Sequence, residues 1–220
     1  LSAEEEQRLR EALDTREERH RLERDQANRW REQRGYSLLP YLRAAPFVDH
    51  LKPLVLLSLN TGLRRGELFN LERQHIDLEH GLLTVVGDTE GNKTAKARHV
   101  PLNQEARTVL ADWITYKQPT GLLFPGRQGR RLDNISNGWE RLRKEARLMD
   151  FRWHDLRHTF ASKLVMADVD LNTVRELLGH AGLDMTLRYA HLAPEHKAAA
   201  VAKLDKPILN VVPISVEDHR

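Results

Sequence analysis

Three segments of this 220-residue chain put basic or nucleophilic side chains where a fold would present them. The first is TGLRRGEL at 61–68, and the second is NKTAKARHVPL at 92–102. The third runs from HDLRHTF at 154–160 through LLGH at 177–180 to TLRYAH at 186–191. His154 and Arg157 stand three residues apart, so a helix would turn both to one face. An imidazole and a guanidinium converging there suit an anion with several oxygens, such as a phosphodiester. Alone, the pair also reads as two ordinary polar residues at a helix start. What shifts the reading towards chemistry is His180 directly after a glycine, with Tyr189 nine residues later. A phenol, with a pKa of about 10, attacks phosphorus when a neighbour takes its proton and cations meet the developing charge.

Short elements must position these groups. The apolar crowding at 47–59 predicts a mostly buried helix, with Pro53 tolerable in its first turn. Thr61-Gly62 stops it, the glycine supplying a left-handed turn, and 65–71 reads as a second helix with Arg64 at the corner between them. The β-prone runs 76–78, 82–86 and 98–102, separated by His80-Gly81 and by 87–96, predict a three-stranded antiparallel sheet. Asn103 is placed to cap a helix at 104–116, 121–129 reads as loop, and Asn134 or Ser136 opens a helix to about 148. Further helices are expected at 154–166, at 171–178 between Asp170 and Gly179, and at 184–191 before Pro194. At the start, Ser2 and Glu5 form a capping-box pattern, followed by Leu9, Ala12 and Leu13 at helical spacing. From 14 to 34 come seven Arg and six Asp or Glu, a mixture expected to be a solvated helix or loose connector rather than an arm touching DNA. The fold class expected is α+β, mainly helical, with one small antiparallel sheet.

Composition bounds the function. With no cysteine, the chain has no disulfide scaffold, thiol nucleophile or thiolate zinc site. No apolar run approaches the roughly 18 residues of a membrane span and no signal-peptide pattern opens the chain, so a soluble, cytoplasmic protein without a membrane partner is expected. The 35 basic residues exceed the 32 acidic ones by only 3, so the distribution of charge, not its sum, has to argue for nucleic acid.

Taken in order, TGLRRGEL, KTAKARHVPL after a strand, HDLRHTFAS, LLGH and TLRYAHL resemble the catalytic domain of the tyrosine recombinase (phage integrase) family, from about 47 to about 194. The resemblance implies the fold of DNA breaking-rejoining enzymes and a set of roles. Tyr189 would attack a scissile phosphate to give a 3′-phosphotyrosyl link and a free 5′-hydroxyl. Arg64 and Arg157 would clamp the non-bridging oxygens, and Lys93 would protonate the leaving 5′-oxygen. His154 would handle the tyrosine proton, His180 would donate to the phosphate, and Glu67 would support Arg64. No cofactor is implied, because the tyrosyl ester conserves the phosphodiester bond energy; neither ATP nor a metal is called for, and the chain has no GxxxxGK[ST] loop.

Several residues keep a second reading. Lys96 competes with Lys93 as the hairpin lysine; counting back from Pro101 favours Lys93 and leaves Lys96 and Arg98 to touch phosphates or water. Arg65 reads as a surface or DNA-backbone residue. Trp113, Trp139, Trp153 and Phe160 fit core or groove walls better than base stacking. His158 forms an i, i+4 pair with His154 that superficially suits zinc, disfavoured because an arginine lies between the rings and no third ligand is marked. His191 reads as packing or a helix-end cation.

The domains expected are 1–46, a leading helix and charged connector; 47–194, the catalytic domain; and 195–220, a tail. The Ile/Val-rich part of that tail, 207–215, has no obvious partner. Family members usually carry an N-terminal core-binding domain, and nothing here reads as one. The resemblance further implies double-stranded DNA attachment sites as partner, a homotetramer on DNA formed from free monomers, tail docking in trans or in cis, and accessory DNA-bending proteins. The leading function is site-specific integration and excision of a phage or other mobile element, acting at the bacterial nucleoid. The alternatives are relaxation of a single duplex by a topoisomerase of the same chemistry, and a non-catalytic DNA-binding module.

Overall fold

A computed structural model describes residues 1–86 and 97–193. Among these residues eight α-helices and three strands follow in the order α1 (Ala3–Glu32), α2 (Leu51–Thr61), α3 (Arg65–Phe69), β1 (Ile76–Asp77), β2 (Leu82–Val85), β3 (Arg98–Pro101), α4 (Gln104–Lys117), α5 (Ser136–Glu145), α6 (Asp155–Met166), α7 (Leu171–Leu178) and α8 (Asp184–Leu187). The sheet is antiparallel in the order β1-β2-β3, with Leu83 opposite both Ile76 and Val100. Lys93 and Lys96, and the tail 195–220, lie outside the described residues.

Local chemistry sets most of the boundaries. Ser2 and Glu5 close the capping box of α1, Asn103 accepts from Ala106 N–H at the start of α4, and Asp170 accepts from Asn172 and Thr173 N–H at the start of α7. Gly62 and Gly179 end α2 and α7 in the left-handed conformation, at φ +62° and +64°. A methyl group at Gly62 would stand 2.4 Å from a ring carbon of Phe160, so no larger residue fits that turn.

The core has two parts. Apolar α2 is the axis of the larger one, buried between α4 and α6 with Leu54, Val55, Leu57 and Leu59 almost fully covered. Leu9, Ala12 and Leu13 of α1 and the ring group Trp113, Trp139 and Trp153 belong to the same cluster, as the core reading of these tryptophans anticipated. The smaller part packs Ala161 and Val165 of α6 against Val174 and Leu178 of α7 and against Tyr189. Helix α6 therefore bridges both, with Leu156 in one and Ala161 in the other.

The charged stretch at 14–34 is not a loose connector. It continues α1 to Glu32, and its side chains hold the backbone of the returning segment 37–48 against the helix. Arg31 donates to Ser37 O, Arg24 to Pro40 O, and Arg21 to the carbonyls of Leu42 and Ala45. Asn28 pairs both ways with the Leu39 backbone, and Glu17 accepts from Val48 N–H. A segment without regular structure leaves its backbone polar groups without ladder partners, and here the helix's polar side chains supply some of them. Among the described residues no helix is long and apolar enough to cross a membrane.

Candidate active site

The left-handed turn at Gly62 ends α2 and α3 starts three residues later, which puts Arg64 at the N-cap of α3. Glu67, one turn on, accepts from Arg64 N–H at 2.7 Å and from its guanidinium at 3.0 Å. The same carboxylate receives a two-pronged fork from Arg98 of β3, at 2.9 Å to each oxygen. Burial alone would raise this carboxyl, but Arg98 and Arg64 outweigh it and hold it below its ordinary value. Glu67 thus bonds to both the backbone and the side chain of Arg64.

Arg98 departs from expectation. It does not face solvent to meet phosphates: its Nη atoms are taken by Glu67 and its Nε donates to Leu177 O. Arg65, by contrast, is exposed at the first turn of α3.

Arg157 lies one turn into α6 and is only 3% exposed. Its two Nη atoms donate to Gly62 O and Leu178 O, the carbonyls closing α2 and α7. It therefore caps two helix C-termini, where a cation is favoured by the helix dipoles. Burial, then Arg64, pushes its pKa down to about 9, the direction expected of a cation short of negative charge.

His180 follows the Gly179 turn, and its Nδ1 is 2.8 Å from Oγ1 of the fully buried Thr186. Burial, followed by Arg157, Arg64, Arg188 and Arg98, lowers it to about 4, so the ring is neutral near pH 7. Tyr189 sits just after α8 with its ring in the smaller core, 6% exposed. Burial raises its phenol, opposed by Arg188 and Arg157. His154 is the exposed N-cap of α6; partial burial of its ring, with Arg157 and Arg64 next, lowers its pKa.

Arg64, His154, His180 and Tyr189 thus each come within electrostatic reach of Arg157, and Arg188 within reach of His154, His180 and Tyr189. They do not all line an open surface, since Arg157 and Tyr189 are covered by the helices they tie together. The imidazole against the tyrosine hydroxyl is His158, not His154: its Nδ1 is 2.5 Å from Tyr189 Oη. Sequence reasoning treated His158 only as a doubtful zinc ligand. Its partner lies 31 residues away, and only the helical spacing of HDLRH gave any signal. Among the described residues no group of three His, Asp or Glu is placed to hold a metal.

Known proteins resemble the chain in both sequence and shape. Residues 28–196 match the profile of the phage integrase family. The integrase of Salmonella phage P22 is 37% identical over 177 residues, covering 75% of this chain and 45% of that protein. Tyrosine recombinase XerC of Pseudomonas putida (strain W619) is 35% identical over 153 residues, covering 65% of this chain and 48% of the relative. The chain thus spans about half the length of the curated relatives it matches. Among solved structures, the catalytic domain of bacteriophage HP1 integrase superposes with a TM-score of 0.52 at 29% identity, over 70% of this chain and 81% of that one. The XerH site-specific recombinase bound to its difH substrate reaches 0.61 at 24% identity, over 94% and 53%, a likeness of fold.

Proposed function

The chain belongs to the phage integrase family, and from that premise we propose that it cuts and rejoins double-stranded DNA through a 3′-phosphotyrosyl intermediate, in site-specific integration or excision of a phage or other mobile element. The observation that carries this is the uncompensated charge around Arg157. Arg64, Arg98 and Arg157 crowd together with Glu67 as the acid that opposes them most, while Arg157 donates to the neutral carbonyls of Gly62 and Leu178. Such a cluster is costly alone and becomes favourable when a multiply charged oxyanion enters it.

The chemistry follows from charge. In-line attack by the Tyr189 oxygen gives a pentacoordinate phosphorus with extra negative charge on its equatorial oxygens. Fixed donors aimed at those oxygens lower the barrier more than they stabilise the ground state. Arg64 supplies a planar fork, and Arg157 supplies its fixed positive charge and the N–H groups that Gly62 O and Leu178 O leave over. In the tautomer whose Nδ1 accepts from the Thr186 hydroxyl, the neutral His180 ring carries its proton on Nε2, ready to donate to phosphate. Lys93 is assigned the protonation of the leaving 5′-oxygen, by its match to the family's hairpin lysine. Residues 47–194 carry the chemistry in this reading, with α1 bracing them and Arg65 meeting the DNA backbone. Attachment-site duplexes are the partner, assembled as a tetramer with help from accessory DNA-bending proteins.

Covalent trapping tests the proposal. The protein is incubated with nicked duplexes from candidate attachment regions in EDTA, denatured in SDS and examined for protein-linked DNA. Wild type should give an adduct that Tyr189→Phe does not, and a two-site strand-exchange assay then separates recombination from relaxation of one duplex. Binding to the same duplexes with no adduct would point to a DNA-binding module instead.

A further inference from the structure

Tyr189 has a partner that none of the roles above employs. Its hydroxyl lies 2.5 Å from Nδ1 of His158, and the two rings pack with centroids 5.9 Å apart. The backbone holds the phenol in place as well, because Tyr189 N–H donates to Thr186 O, and the ring is set among the apolar side chains of α6 and α7. His154 stands behind, its ring perpendicular to that of His158 at 4.9 Å between centroids. If the cleavage proposed above occurs, we infer that His158 is the base that takes the Tyr189 proton as the phenol oxygen attacks phosphorus, with His154 one ring further from the reacting atom.

A neutral imidazole offers one acceptor nitrogen, and in the tautomer that carries its proton on Nε2 that acceptor is Nδ1, which faces the Tyr189 hydroxyl. Burial, then His154, keeps His158 below its ordinary value, so the accepting form prevails at neutral pH. The groups facing it are His154, Asp155 and Arg157 on its own helix, and Arg188 and Tyr189 from the segment packed against it. Of these only Asp155 favours the imidazolium; the incoming phosphate supplies further negative charge. In the step, the Tyr189 O–H bond breaks and its proton passes to Nδ1. The tyrosine oxygen bonds to phosphorus, the P–O5′ bond breaks, and the leaving oxygen takes a proton from a separate acid. Religation runs backwards, with the His158 imidazolium returning its proton to the departing tyrosine oxygen.

Two variants and two leaving groups test this. His158→Asn keeps a polar atom near the position of Nδ1 and can still hold the tyrosine, but cannot take a proton at neutral pH. His158→Gln is the second variant, and both are checked for wild-type melting before use. Single-turnover cleavage is followed on an ordinary duplex and on one with a 5′-bridging sulfur, a leaving group that needs no proton. The expected result is a fall of about 10²–10⁴-fold for the folded variant on both substrates. The wild-type rate should rise with pH through the titration of His158 and then level, and the variant should lose that limb. Wild-type cleavage by His158→Asn, acceleration, or full rescue by sulfur would overturn the inference, leaving His158 as a tether or a leaving-group acid. No adduct with wild type on either duplex would instead overturn the transesterification reading on which the inference rests.

Discussion

Glu67 shows how one carboxylate organises the site, since it receives four hydrogen bonds from two arginines. Its folded pKa lies below its ordinary 4.5, so its charged form stabilises the fold above pH 4.5, and that contribution is lost as pH falls from 4.5 through the folded value. Glu67→Gln should therefore cost about 2 kcal/mol at pH 7 by urea denaturation. The gap from wild type should shrink towards pH 3.5. Glu6, Asp49 and Glu105 are also depressed but are common to both proteins, so the difference isolates Glu67; a gap that stays constant with pH would refute the assignment. At this scale sequence reading was uneven. The spacing of Arg64 and Glu67 is local and could be read directly. The partner of Arg98 is 31 residues distant, and only the fold turns that arginine inwards.

Elements explain why the ends of helices were legible and the use of α1 was not. Gly62, Asn103, Asp170 and Gly179 act on the turn they occupy, so their effect is written in a few neighbouring residues. The arginines of α1 instead serve carbonyls that return only after a loop, and a mixed-charge run looks alike whether it faces water or backbone. Gly62 gives the sharpest element-scale prediction. Alanine there would adopt a strained positive φ and press on Phe160, a combined cost of about 2–4 kcal/mol by denaturant titration. Because Gly62 O also anchors Arg157, trapping yield should fall more than DNA affinity does. Equal losses of both would separate the turn from the chemistry.

Across the whole molecule, the small excess of 3 positive charges conceals a sorting of charge. Along α1 the ions are largely paired with one another or with neighbouring segments, as in Arg16–Asp49, Arg10–Glu105 and Arg43–Asp25. Around α3, α6 and α8 the basic groups outnumber the acids. Composition could not have revealed this, because a sum of charges says nothing of where they lie. Salt titration of DNA binding separates surface cations from structural ones. Arg65→Ala should lower the slope of log K against log salt by about 1 while leaving Tm unchanged. Arg98→Ala should leave the slope alone and lower Tm by about 5 °C or more, since three of its donors hold other elements in place. The reverse pattern would put Arg98 back on the DNA-facing surface. The two helix ends joined by Arg157 also bear on ancestry. A lineage released from cutting DNA could exchange Tyr189 for phenylalanine with little harm to its packing, whereas losing Arg157 would unfasten α2 from α7. Descendants that have retired from catalysis should therefore still carry the arginine, so its presence in a sequence is a record of folding before it is a record of activity.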